Sequence, residues 1–270
     1  MVFCGAIDMK PMLVQIYEVQ SPWEAEQLVS IGVDHIGSVL LSENRDPQLW
    51  DTIRVVADMG ATSSMIPLFS GADALLRAID RYRPDVIHFC EVLDAEGRSP
   101  AGGRDLVELQ GDIRRQCPQV KIMRTIPIAP DGHPGRHASL RLGRMFEPVS
   151  DFLLTDTILA APSDPSAEQQ PVAGFVGITG RICNWDIAAE LVAAVQCPVI
   201  LAGGLSPLNV FDGILRVGPA GVDSCTGTNA TDHRGRPIRF KKDLQKIRQL
   251  VREVRRAEGI LSRQLDPLTP

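Results

Sequence analysis

Short runs dense in Val, Ile and Leu alternate along the chain with longer stretches whose apolar positions recur every three or four residues. The first pattern is that of a strand buried on both faces of a parallel sheet, the second that of an amphipathic helix. Eight runs read as strands: 13–18, 34–41, 63–69, 85–90, 120–126, 151–156, 198–203 and 221–225. Helical periodicity fills the intervals at 22–31, 47–59, 72–82, 104–116, 185–195, 207–217 and 241–256, and less clearly at 137–146. Eight βα units in series predict an α/β chain folded as a single (β/α)8 TIM barrel. An open doubly wound sheet fits less well, because no Gly-x-Gly-x-x-Gly follows the first strand.

Punctuation supports these starts. Ser21-Pro22, Asp46-Pro47 and Ser206-Pro207 each set a capping side chain before a proline at the first helical position, and Glu24 stands at capping-box distance from Ser21. The expected organisation is an N-terminal extension at 1–12, the barrel at 13–258 and a frayed tail at 259–270. Within the barrel, 157–176 is rich in Pro, Ser and Gln and lacks periodicity. It follows strand six, so it lies at the mouth and reads either as a lid or as a disordered insertion.

Bulk properties narrow the partners. The 270 residues are close to the roughly 250 of such a barrel. A net charge of −5 without a Lys/Arg block argues against nucleic acid and against an anionic membrane surface. The six cysteines, at 4, 90, 117, 183, 197 and 225, form no Cys-x-x-Cys pair, so reduced thiols are expected rather than disulfides or structural zinc. No apolar run reaches the length of a membrane span, and the first residues lack a secretory pattern; Met12 would serve as an alternative start. The expected compartment is the cytoplasm.

The chemistry concentrates after strands seven and eight. In Val199-Ile-Leu-Ala-Gly-Gly-Leu-Ser-Pro-Leu-Asn209 a buried strand ends in two glycines just before a helix, where backbone amides can approach an anion. Gly221-Val-Asp-Ser-Cys-Thr-Gly-Thr-Asn229 repeats the design. Paired turns of this kind match the common phosphate site of barrels, and the candidate phosphate ligands are Gly203, Gly204, Ser224, Thr226 and Gly227.

These segments resemble phosphoribosylanthranilate isomerase, the tryptophan-pathway barrel. The likeness is carried by Leu201-Ala-Gly-Gly-Leu205 with Asn209, by Gly221-Val-Asp223 with Gly227, by Leu153-Leu-Thr-Asp-Thr157 and by Gly177-Ile-Thr-Gly-Arg-Ile-Cys-Asn-Trp185. It is looser at Ile87-His88 with Glu91 and at Gly32-Val-Asp34 with Ile36-Gly37. The resemblance implies an Amadori-type aldose–ketose isomerisation of a phosphoribosyl amine, without cofactor or metal. It makes Asp156 the general acid and places Arg45, Thr179 and Gly180 beside the substrate. The implied partner is a small phosphorylated, sugar-derived substrate, and a homodimer is left open.

Strand one departs from the family. Where the family has Lys-Ile-Cys-Gly, with the cysteine as base, this chain has Gln15-Ile16-Tyr17-Glu18. Tyr17 is a poor base at neutral pH, Glu18 is turned away from Tyr17's direction if strand alternation holds, and His88 titrates in the right range. The strand that reads Gly-Phe-Val-Phe in the family is Gly37-Ser-Val-Leu40 here. A catalytically silent or repurposed barrel that binds a phosphorylated metabolite is therefore the alternative. His35 stands at the opposite end of its strand and cannot join His88, Cys90 and Glu91 in a metal site.

Overall fold

The computed structural model describes residues 11–93, 96–98, 105–128, 136–157, 175–177 and 180–265. Eight parallel strands close on themselves: β1 (Leu13–Ile16), β2 (His35–Leu40), β3 (Thr62–Pro67), β4 (Val86–Phe89), β5 (Lys121–Ile128), β6 (Phe152–Thr157), β7 (Val199–Leu201) and β8 (Gly221–Ser224). Pairing of Leu13 with Gly221 and of Ile16 with Ser224 seals the barrel between β1 and β8. Around it run α1 (Pro22–Ile31), α2 (Pro47–Asp58), α3 (Ala72–Tyr82), α4 (Leu106–Gln116), α5 (Arg136–Phe146), α6 (Trp185–Ala194), α7 (Val210–Val217) and α8 (Leu244–Leu265). The fold is the expected (β/α)8 barrel.

Two apolar layers form, as a sheet buried on both faces requires. The larger lies between strands and helices and includes Ile36, Leu49, Ile79, Ile113, Leu191 and Ile247. The smaller, Val86, Met123, Leu154, Ile200 and Ala202, fills the barrel's interior. No helix among the described residues is long and apolar enough to cross a membrane.

Four local expectations change. Ser21 makes no capping hydrogen bond, and the buried Glu24 carboxylate instead accepts the Lys242 amide at 2.6 Å. α7 starts at Val210, because Asn209 holds the preceding residues in a turn: its Oδ1 accepts the Ser206 amide at 2.8 Å and its Nδ2 donates to Gly204 O at 3.0 Å. Residues 241–242, expected to open the last helix, instead end a strand, β10 (Pro237–Lys242), paired antiparallel with β9 (Asn229–Thr231). α8 then runs to Leu265, through much of the segment expected as a tail. Of the long loop after β6, residues 158–174 lie outside the described ones, so the lid reading falls there too. The loop's end is fixed at the mouth, where Val176 N–H donates to Cys90 O at 2.7 Å and Phe175 bridges to Glu91.

Candidate functional site

The turns after β7 and β8 meet as a cradle. Gly180, Gly203, Gly204, Leu205, Thr226 and Gly227 line a small cavity of about 30 Å³, with Asp156, Asp223 and Cys225 on its inner side. Gly203 and Gly204 have φ of 91° and 64°, which L side chains rarely adopt. A Cβ on Gly204 would lie 2.7 Å from Arg181 O, and one on Gly227 would overlap Leu205 O. Both glycines therefore let backbone press on backbone around the cavity. Of the five expected phosphate ligands, four line it. Ser224 does not: it is buried and its hydroxyl donates to Leu205 O at 2.7 Å, tying β8 to the β7 turn.

A second cavity, of about 60 Å³, lies beside the first in the barrel mouth. Val39, Ile66, Leu68, Cys90 and Phe175 form an apolar wall; Tyr17, Glu18, His88, Thr125, Asp156 and Asp223 supply the polar side. Asp156, Asp223 and Cys225 border both cavities, so a ligand with one end in the cradle must pass these three. Asp156 accepts the Thr157 amide at 2.7 Å. Its carboxyl is pushed up to about 6, because burial outweighs that hydrogen bond. Gly177, at φ 108°, closes over it, and a Cβ there would overlap Asp156 Oδ2.

Asp223 escaped the sequence pattern, which drew attention to the glycines beside it. It is buried and receives Gln15 Nε2 at 3.2 Å. Its carboxyl is pushed up to about 7, first by burial and further by Asp156, against the hydrogen bond from Gln15 and the charge of Lys242. The signal was available: β8's alternation turns Asp223 inward at the mouth and Ser224 outward.

Strand one delivers its residues differently from expectation. Tyr17 is buried, with its hydroxyl 2.5 Å from Ser64 Oγ and 2.7 Å from His88 Nδ1, while His88 Nε2 lies 2.8 Å from Thr125 Oγ1. Burial raises the Tyr17 phenol well above its ordinary value and lowers His88 to about 3, so both are neutral partners in a hydrogen-bonded chain. Glu18 lines the cavity despite the alternation that should turn it away. β1 has ended at Ile16, and a φ of 61° at Glu18 swings its carboxylate inward to pair with Arg239 of β10, whose Nε donates at 2.9 Å.

The remaining candidates lie elsewhere. Arg45 is exposed on the β2–α2 loop and is not brought to the cavity lining. Thr179 lies outside the described residues. His35 sits deep in the barrel against Gln15 and Phe152, held near 4 by burial. Among the described residues no three His, Cys, Asp or Glu side chains are grouped to hold a metal.

A closed (β/α)8 barrel whose mouth sets a glycine cradle beside two carboxyls of raised pKa places the protein in the class of barrel enzymes. Comparison with known proteins narrows this class. No family model matches the chain. It is 31% identical over 192 residues to the N-(5′-phosphoribosyl)anthranilate isomerase of Haloferax volcanii, covering 71% of this chain and 74% of that one. With isomerase 1 of Methanosarcina mazei it shares 25% over 256 residues, 92% of this chain and 97% of the relative. A 34% match to the Methanocella arvoryzae protein spans 54% of that relative. The Thermotoga maritima isomerase superposes with a TM-score of 0.63 at 18% identity, over 90% of this chain and 98% of that one. Among structural neighbours, one is a set of generated monomers of the dimeric Thermotoga maritima isomerase, and another is an isomerase in complex with reduced 1-(o-carboxyphenylamino)-1-deoxyribulose 5-phosphate. The chain belongs to the phosphoribosylanthranilate isomerase family.

Proposed function

We propose that the chain isomerises N-(5′-phosphoribosyl)anthranilate, or a close phosphoribosyl amine, to its 1-deoxyribulose form by an Amadori rearrangement. The observation that carries this is the position of Asp156, a carboxyl raised toward neutrality at the junction of the cradle and the apolar cavity. Such a group is still partly protonated near pH 6–7 and can give a proton to a ribose ring oxygen. Gly203, Gly204, Thr226 and Gly227 would hold the phosphate by their backbone, with Gly180 beside it. The wall of Val39, Ile66, Leu68 and Phe175 would take the aromatic ring.

Complementation of a tryptophan auxotroph lacking the isomerase, together with direct assay of the purified protein, tests the reading. Growth and turnover are expected, with Asp156→Asn lowering kcat by about 10²–10⁴-fold while ligand binding persists. Failure of well-expressed protein in both assays would refute the isomerase. Binding of a phosphorylated metabolite without any turnover would leave a silent barrel instead.

A further inference from the structure

An Amadori rearrangement needs a second proton-transfer group, and strand one does not offer it. Tyr17 is neutral and engaged with Ser64 and His88; His88 has both ring nitrogens occupied and is held near 3; Glu18 is clamped by Arg239. Cys225, the third residue common to both cavities, is a thiol that burial keeps above the ordinary range, so it supplies little thiolate. We propose that Asp223, at the end of β8, is the catalytic base that removes the C2′ proton, the role for which the resembled family uses a cysteine on strand one. This rests on the isomerase reading above.

The geometry supports the pairing. Asp223 and Asp156 approach the same space from β8 and β6, each bordering both the cradle and the cavity. Charged and titratable groups around Asp223 are Asp156 across the mouth, Lys242 from β10, Tyr17 and Glu18 beyond β1, Cys225 just past β8, and His88 of β4 on the same cavity. Gln15 fixes its carboxylate from below. Between about 6 and 7 the pair shares about one proton, held mostly on Asp223, and the coupled form with that proton on Asp156 and Asp223 ionised is the one that reacts.

The steps balance without a co-reactant. Asp156 gives its proton to the ring oxygen as the C1′–O bond breaks and the nitrogen lone pair forms an iminium. Asp223 takes the C2′ proton, and the C–H electrons become the C1′=C2′ bond as the iminium π pair returns to nitrogen. The enolamine then collapses: C1′ receives the proton from Asp223, the C2′ hydroxyl becomes a ketone, and its proton passes to Asp156. Both carboxyls end as they began.

The test compares wild type, Asp223→Asn, Asp223→Glu and Tyr17→Phe for kcat and KM on N-(5′-phosphoribosyl)anthranilate across pH 5–9, with circular dichroism confirming that each is folded. Asp223→Asn should lose about 10²–10⁴-fold in kcat with little change in KM and should lose the acid limb of the pH profile. Asp223→Glu should recover part of the rate, and Tyr17→Phe should lose far less than Asp223→Asn. A loss confined to KM, a retained acid limb, or an equal loss in Tyr17→Phe would overturn the assignment. An active wild type with an unimpaired Asp223→Asn would refute Asp223 alone; an inactive wild type would refute the isomerase reading and this base with it.

Discussion

Tyr17 is pressed against the one residue on β2 that has no side chain, and this contact makes a quantitative test of how the mouth is filled. A Cβ placed on Gly37 would lie 2.5 Å from Tyr17 Cγ and Cε1 and would overlap Cδ1. The ring cannot swing clear, because its hydroxyl is held by both Ser64 and His88. Gly37→Ala therefore overpacks a rigid site and should cost about 1–3 kcal/mol. For a barrel of this size that is a fall of roughly 2–12 °C in Tm. Tyr17→Ala should itself cost about 3–5 kcal/mol through the void it leaves. In that background the Gly37→Ala methyl enters empty space and should be nearly neutral, a coupling of about 1–3 kcal/mol. Thermal unfolding of wild type, both single variants and the double variant closes the cycle. Additivity within about 0.5 kcal/mol, or a Gly37→Ala protein with wild-type Tm, would refute the packing described for strand one.

The two raised carboxyls also set the pH dependence of stability. Because the folded state binds a proton on Asp223 up to about 7 where the unfolded chain has released it, Asp223 removes stability as pH rises from about 4 to about 7. Stability of Asp223→Asn should therefore rise relative to wild type across that window and stay level above it, with the histidines' opposite contribution common to both; a constant difference from pH 4 to 8 would contradict the raised pKa. Arg239→Gln should lower Tm by leaving the buried Glu18 carboxylate without its partner, and Glu18→Gln added to it should restore part of the loss; a wild-type Tm in Arg239→Gln would show that the clamp is idle. Ser224→Ala should cost about 1 kcal/mol through the bond to Leu205 O and should leave KM nearly unchanged, whereas a large rise in KM would return Ser224 to the phosphate site.

The barrel was legible because its signal is periodic. α1 and α3 begin and end where the pattern places them, and β2 differs by a residue at each end, since buried parallel strands and amphipathic helices differ in hydrophobic period. β10 was hidden for the converse reason: Pro-Ile-Arg-Phe-Lys-Lys carries charge on every side and little alternation, and it is held as a strand by its partner and by the Arg239–Glu18 pair. The extent of α8 could have been read further, because Val254 and Ala257 continue its buried stripe and Leu261 packs against the same core. In the site, the motif glycines of the β7 and β8 turns line one cavity, while side-chain direction was not legible from motif spacing. Ser224 and Asp223 are adjacent in one motif, yet alternation sends only Asp223 inward. Glu18 departs from the same rule because β1 has ended at Ile16, and its own left-handed backbone then turns the side chain inward.

That left-handed turn bears on why the mouth has no cysteine at position 17. A cysteine base must ionise, and this cavity opposes thiolates: burial holds the Cys90 and Cys225 thiols above the ordinary range, outweighing Arg124 at Cys90 and Lys242 at Cys225, with Glu91 at Cys90 and Glu18 and Asp223 at Cys225 adding to it. A thiol at position 17 would be buried as the Tyr17 ring is, with the charge of Asp223 acting on it as it does on the phenol. The Tyr17→Cys variant should therefore not regain a cysteine-based reaction. Its new thiol should titrate above the usual thiol range, and a carboxylate, with a far lower starting pKa, remains the better base in this environment. Alkylation of Tyr17→Cys followed across pH 6–10, with each peptide's labelling quantified by mass spectrometry, measures this directly. Slow labelling of the introduced thiol below pH 8, rising only at the alkaline end, is the expected result. Rapid labelling near pH 7 would show that the mouth can support a thiolate, and the electrostatic reason for moving the base from strand one to strand eight would then fail.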